Sequence, residues 1–218
     1  MSDDILDAFR AIKCILQSEK LAGVDGFYCP GGTMGDLKKE IASCRKCGLA
    51  KTRANVVFGE GDMKARLMFV GEAPGADEDE QGRPFVGRAG QLLTKIIEAM
   101  GLSREEVFIA NILKCRPPEN RNPLPEEIAV CRGYLERQID AVKPDVICAL
   151  GKFSAQTLLG TETPISKLRG KFYEYRGIKL MPTFHPAYIL RNPPDKKYVW
   201  EDMQTIAREL GIVVPKKV

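Results

Sequence analysis

Four short apolar runs set the limits on how this chain folds. They are ARLMFVG (65–71), EVFIANIL (106–113), PDVICALG (144–151) and IKLMPTF (178–184). Each is too short for a buried helix and reads as a strand buried on both faces. Segments with helical spacing fall between and after them. In GRAGQLLTKIIEAMG (87–101) the apolar residues are Leu92, Leu93, Ile96, Ile97 and Met100, and a glycine closes the run. LPEEIAVCRGYLERQIDAV (124–142) opens with Pro125 and two acids, the usual signals of a helix start. KFSAQTLLG and KKYVWEDMQTIAREL (196–210) read as further helices. Strands that alternate with helices build a parallel sheet covered on both faces. The expected fold is α/β: a three-layer α/β/α sandwich around a central four-stranded parallel sheet.

In such a sheet, ligands bind along the carboxyl edge of the strands. The motifs that stand out fall on that edge. GEAPGADED (71–79) follows the first run, Asn111 ends the second, GKFS (151–154) follows the third and HPAYILR (185–191) the fourth. The glycines and Pro74 of the first motif make a tight turn that lets a ligand approach the backbone. The motif is neither G-x-G-x-x-G nor a P-loop. Most of its acids suit a solvated loop, but Glu72 is held at a strand end and points into the cleft. GKFS sets Gly151, Lys152 and Ser154 at a helix start, a common seat for phosphate. KCRPPENRNPLP (114–125) is a basic, proline-rich loop. Lys114, Arg169 and Arg191 add positive charge, so a polyanion is expected to pass over this edge. His185 is the only histidine among 218 residues. Ile189 and Leu190 lie in its proline-stiffened loop, where they either pack on a neighbour or wedge between bases.

A net charge of +4 permits a nucleic-acid surface without demanding one. No run reaches the roughly 18 apolar residues that span a membrane. MSDDILDAFRAIKC opens acidic and amphipathic, unlike a secretion signal, so a cytoplasmic protein is expected. Residues 1–22 read as a helix and 23–35 as a glycine-rich linker, an arm ahead of a domain at 36–218.

Seven cysteines in a cytoplasmic chain seldom form disulfides. CRKC supplies Cys44 and Cys47, while Cys115 and Cys131 form a wide C-x15-C pair. Structural zinc favours a second C-x-x-C. The wide pair is compatible with a cysteine-ligated iron–sulfur cluster, and the spacing alone leaves metal or cluster open. Cys148 reads as a core thiol and Cys14 as part of the first helix's apolar face; Cys29 has no evident place.

Taken together, GEAPG with its following acids, GRPFVGRAG, NILKCRPP, HPAYILRNP and the four cysteines resemble the family 4 uracil-DNA glycosylases. These are the iron–sulfur members of the uracil glycosylase superfamily, and the likeness runs from about Asp36 to the C-terminus. The resemblance implies monofunctional removal of uracil from DNA in base-excision repair. It implies that Glu72 and Ala73 form the first active-site loop, and that Glu78 guards the C5 position of uracil. Phe85 stacks under the flipped base, Asn111 reads its Watson–Crick edge, and His185 faces O2. The following loop, with Ile189 and Leu190, fills the vacated space. Cys44, Cys47, Cys115 and Cys131 become ligands of a [4Fe–4S] cluster. Uracil-containing DNA is the expected partner, with no membrane, a monomeric state and downstream repair proteins in prospect.

Two departures sharpen that expectation. Other uracil glycosylases carry an Asp just after the position of Glu72, where this chain has Ala73. Water activation then falls to Glu72, to Asn111 or to backbone groups, with Glu72 the candidate. A cluster-bearing relative traps the abasic sugar through a second histidine, which this chain lacks, so turnover is expected. The competing readings are a non-catalytic iron–sulfur DNA-binding module of the same fold and a glycosylase for another deaminated base.

Overall fold

The apolar runs form strands because β-branched and aromatic residues suit a pleated surface buried on both sides. In a computed structural model, which describes residues 33–215, they form the middle of one sheet. The chain divides into two units, Met1–Ser43 and Cys44–Val218. Of the first, the described part is essentially one helix, α1 (Met34–Ala42), opened by a reciprocal cap between Thr33 and Asp36. The expected helix over 1–22, Cys14 and Cys29 lie outside the described residues.

The second unit runs β1 (Glu60–Gly61), β2 (Leu67–Gly71), α2 (Ala76–Gln81), α3 (Arg88–Ala99) and β3 (Phe108–Asn111). It continues α4 (Pro125–Val142), β4 (Val146–Leu150), α5 (Lys152–Leu159) and α6 (Ile165–Leu168). It closes with β5 (Tyr173–Tyr175), β6 (Ile178–Thr183), α7 (Pro186–Arg191) and α8 (Lys196–Leu210). The strand order is β1-β3-β2-β4-β6-β5. The pairings β3–β2, β2–β4 and β4–β6 are parallel. β1 and β5 pair antiparallel at the two edges. The α/β class is as expected, but the sheet has six strands, not four. The two additions are very short and carry no apolar run, so nothing in their sequence announces them.

Every residue of β2, β3 and β4 is buried. Side chains alternate across the sheet. Leu67, Phe69, Ile109, Cys148 and Met181 share one core with Leu93 and Ile97 of α3 and Met203 and Ile206 of α8. Met68, Val70 and Ala110 point to the opposite face and are equally buried. Phe69 and Phe108, both fully enclosed, each contribute about 2–3 kcal/mol by the usual burial relation. Among the described residues no helix is long and apolar enough to cross a membrane.

Candidate active site at the carboxyl edge of the sheet

The ends of β2, β3 and β6 bring the singled-out residues together. β2 pairs Gly71 directly with Asn111 of β3, and the amide of Ile112 donates to the Gly71 carbonyl at 3.0 Å. A Cβ on Gly71 would stand 2.3 Å from Oδ1 of Asn111 and 2.5 Å from Cζ of Phe85. Glycine is thus required there, and its absent side chain lets an amide and an aromatic ring converge. Asn111 is 2% exposed, and its Oδ1 has no hydrogen-bond partner. A buried, unpaired acceptor costs about 1–3 kcal/mol, which a ligand that donates to it returns.

The Phe85 ring lies 5.7 Å from the His185 ring, centroid to centroid, at 32°. Phe85 sits at φ 52°, in the left-handed region. For a bulky residue this costs on the order of 1–3 kcal/mol, so the surroundings must hold it there. Glu78, on α2, accepts from Gly75 N at 3.0 Å with Oε2, and from Val86 N and Gly87 N at 2.9 Å each with Oε1. One carboxylate therefore ties the turn after β2 to the turn that carries Phe85.

His185 caps the N-terminus of α7. Its Nδ1 accepts from Ala187 N at 3.1 Å. An acceptor nitrogen bears no proton, so a neutral imidazole here carries its proton on Nε2. Burial, with the positive charge of Arg191, lowers the ring's pKa to about 4. His185 is therefore a neutral Nε2–H donor at physiological pH. Gly151, at φ 90°, lies against it, and a Cβ there would come within 2.9 Å of the His185 Cβ.

Glu72 follows Gly71 and is partly buried, as is Ala73. Burial raises the Glu72 carboxyl to about 7, opposed by the positive charge of Lys152. A carboxyl at that value is close to an ideal base for neutral pH.

The basic edge is smaller than the sequence suggests. Lys152 and Arg191 are exposed, but five expected DNA contacts are not: Gly151, which caps α5 and is buried, and Lys114, Ser154, Arg169 and Ile189. Lys114 is 1% exposed; its Nζ donates to the Asn111 carbonyl at 2.7 Å and to Gln138 Oε1 at 2.6 Å. Burial lowers its ammonium to about 8. Ser154 is enclosed and donates to the Gly151 carbonyl at 3.2 Å. Arg169 is engaged by Asp202, donating at 2.6 Å and 3.1 Å, and lies over the rings of Phe184 and Tyr198. Ile189 is buried in the core with Phe85, whereas Leu190 is exposed, so Leu190 alone is free to act as a wedge. The segment 186–191 is a short helix and not the stiffened loop expected. Proline at its first turn explains this, since that position needs no N–H.

Cys44 and Cys47 are partly buried, and Cys115 and Cys131 are buried. Cys115 feels the charges of Cys47 and Cys44, and Cys131 those of Cys115 and Cys47. Burial pushes both buried thiols up, Cys131 to about 11. Arg53 Nη1 reaches the Cys115 Sγ at 3.1 Å, and the Lys114 amide reaches the Cys131 Sγ at 3.4 Å. Among the described residues no three His, Cys, Asp or Glu side chains are grouped to hold a single ion. Sulfur ligands to one zinc lie about 2.3 Å from it and hence close together. The donor set is all sulfur, its members feel one another's charge, and two cationic or amide donors face it. An all-sulfur donor set of this kind suits an iron–sulfur cluster.

Sequence reasoning missed Arg104, which donates to the carbonyls of Pro84 and Phe85 at 2.8 and 3.0 Å. Its partners lie far off in sequence, and no local pattern marks it.

A family model described as the uracil DNA glycosylase superfamily matches residues 58–204. The chain is 47% identical to a type-4 uracil-DNA glycosylase of Archaeoglobus fulgidus, over 82% of this chain and 94% of that protein. It is 49% identical to one of Saccharolobus solfataricus, over 80% and 85%. It is 46% identical to one of Thermotoga maritima, over 77% and 90%.

Proposed function

The chain belongs to the uracil DNA glycosylase superfamily, and from that premise we propose that it flips uracil out of DNA and hydrolyses its N-glycosidic bond. The observation that carries the reading is the buried Oδ1 of Asn111, unpaired beside an aromatic ring and a neutral imidazole donor. A base must leave the duplex to reach such a site.

In the pocket, Asn111 Oδ1 accepts from uracil N3–H and its amide donates to O4. Cytosine offers the opposite pattern and would leave buried groups unpaired. Phe85 stacks on the base. Glu78 forms a fixed wall toward C5, its oxygens held by three amides. As the bond from C1′ to N1 breaks, its electron pair passes to the base. His185 Nε2–H donates to O2 and holds that charge. One such preorganised donor is worth roughly 3–4 kcal/mol. Water attacks C1′ and gives its proton to Glu72. Leu190 fills the gap left in the stack, and Lys152 and Arg191 meet phosphates.

Cys44, Cys47, Cys115 and Cys131 would hold a [4Fe–4S] cluster. When bound, it supplies a covalent cross-link between the CRKC segment, the end of β3 and α4. No step of excision is routed through it.

The test is a labelled oligonucleotide containing uracil, treated with alkali after incubation. Wild type is expected to give strand cleavage at uracil and none with thymine. Asn111→Ala should bind the DNA yet fail to cleave it. A variant that cleaves normally removes Asn111 from the reading.

A further inference from the structure

Four backbone groups surround the left-handed turn at Phe85, and charged side chains take all four. The amides of Val86 and Gly87 donate to Glu78. The carbonyls of Pro84 and Phe85 accept from Arg104. The same guanidinium donates to Thr94 Oγ1 of α3 at 3.1 Å and is paired with Glu60 of β1. Glu60 in turn is held by Arg83 at 2.9 Å, and its strand is registered on β3 opposite Ile109. The turn is therefore referenced to the sheet on one side and to α3 on the other. It also presses on α3 at Gly90, where a Cβ would lie 1.9 Å from the Phe85 carbonyl oxygen.

We propose that Arg104 is a positioning residue for base excision, fixing the Pro84–Gly87 turn so that the Phe85 ring meets the extruded base at a single angle. The inference rests on the stacking role given to Phe85 above. Its chemistry is specific to arginine. Two neighbouring carbonyls, a hydroxyl and a carboxylate are served at once, which needs the planar fork of donors; lysine offers one point charge. Arg104 is mostly buried and its guanidinium is taken up by two carbonyls, Thr94 and Glu60, so it acts through the turn it holds.

A double-mutant cycle reads this directly. Single-turnover excision of uracil is measured for wild type, Arg104→Gln, Phe85→Ala and the double variant. Arg104→Gln is expected to lower the rate by about 10–100-fold, the scale of a slight misplacement. In the Phe85→Ala background the same change should cost less than about 2-fold, because its effect is already lost. Arg104→Lys should recover only a small part. Thr94→Val, a milder change, should cost about 2–10-fold in the wild-type background and nothing in Phe85→Ala. It carries the same comparison if Arg104→Gln does not fold. An equal loss in both backgrounds, or no loss in the first, overturns the inference. Wild type that leaves uracil intact overturns the proposed function instead. Phe85→Ala at the wild-type rate overturns the stacking role, and this inference with it.

Discussion

The Ala187 amide decides what His185 can do. By occupying Nδ1 it leaves the proton on Nε2, and burial keeps the second proton off until about pH 4. Because the chain holds one histidine, its imidazole can be followed alone. Nitrogen-15 spectra should show a neutral Nε2–H ring throughout pH 5–9. A ring that titrates near its ordinary value would remove the neutral donor from the mechanism. The acidic limb of activity then belongs to Glu72. Its carboxyl titrates near 7, so kcat/KM should rise through that value and level off above it. In Glu72→Gln the limb should vanish. The sign for stability is opposite. The folded carboxyl sits above its ordinary 4.5, so the folded state holds its proton longer than the unfolded chain. Stability from this group is full below about 4.5 and falls until about 7. At pH 8, denaturant titration should find Glu72→Gln more stable than wild type, on the order of 1–3 kcal/mol. A less stable variant contradicts the buried carboxyl.

At the scale of elements, the site exists because parallel strands end together. β2 and β3 are in register from Met68 to Gly71, which puts Gly71 beside Asn111. Gly71→Ala should therefore close the pocket while leaving the strand intact. Excision is expected to fall at least about 100-fold, with a lowered unfolding midpoint because the added Cβ displaces the buried Asn111 and Phe85 side chains. Wild-type activity would mean the ring and the amide do not converge there. The four apolar runs announce the inner strands to within two residues, since periodicity and flanking glycines are local signals. The placement of Glu72, Asn111 and His185 at or just beyond strand ends is legible too, because it is a local property. Burial is not local. KCRPP looks like an exposed basic loop, yet Lys114 turns inward to Gln138, a partner 24 residues away on α4. Ile189 and Leu190 look alike in sequence, and only packing in the core separates the buried one from the exposed one. Arg104 is silent for the same reason: Glu60 and Thr94 come from other elements.

Across the whole molecule, the four candidate cluster cysteines lie on segments far apart in sequence. Cys44 and Cys47 precede the sheet, Cys115 follows β3 and Cys131 lies within α4. A group that binds only the folded arrangement stabilises it. Cys131→Ser should therefore lose the brown colour expected of an iron–sulfur protein and melt earlier, by about 2–4 °C for each kcal/mol lost. Unchanged iron content and melting would argue that the four thiols hold no cluster. With Lys114 buried and Arg169 engaged by Asp202, Lys152 and Arg191 are the exposed cations among the expected DNA contacts.

The most direct measurement is single-turnover excision by the intact chain, wild type beside His185→Ala, on matched oligonucleotides carrying uracil or thymine. Wild type should cut after alkali at uracil alone, and the variant should be slower by about 100- to 1,000-fold with DNA binding retained. Cleavage by His185→Ala at the wild-type rate, or none by the folded wild type, would contradict a site built on a neutral imidazole donor at the departing uracil.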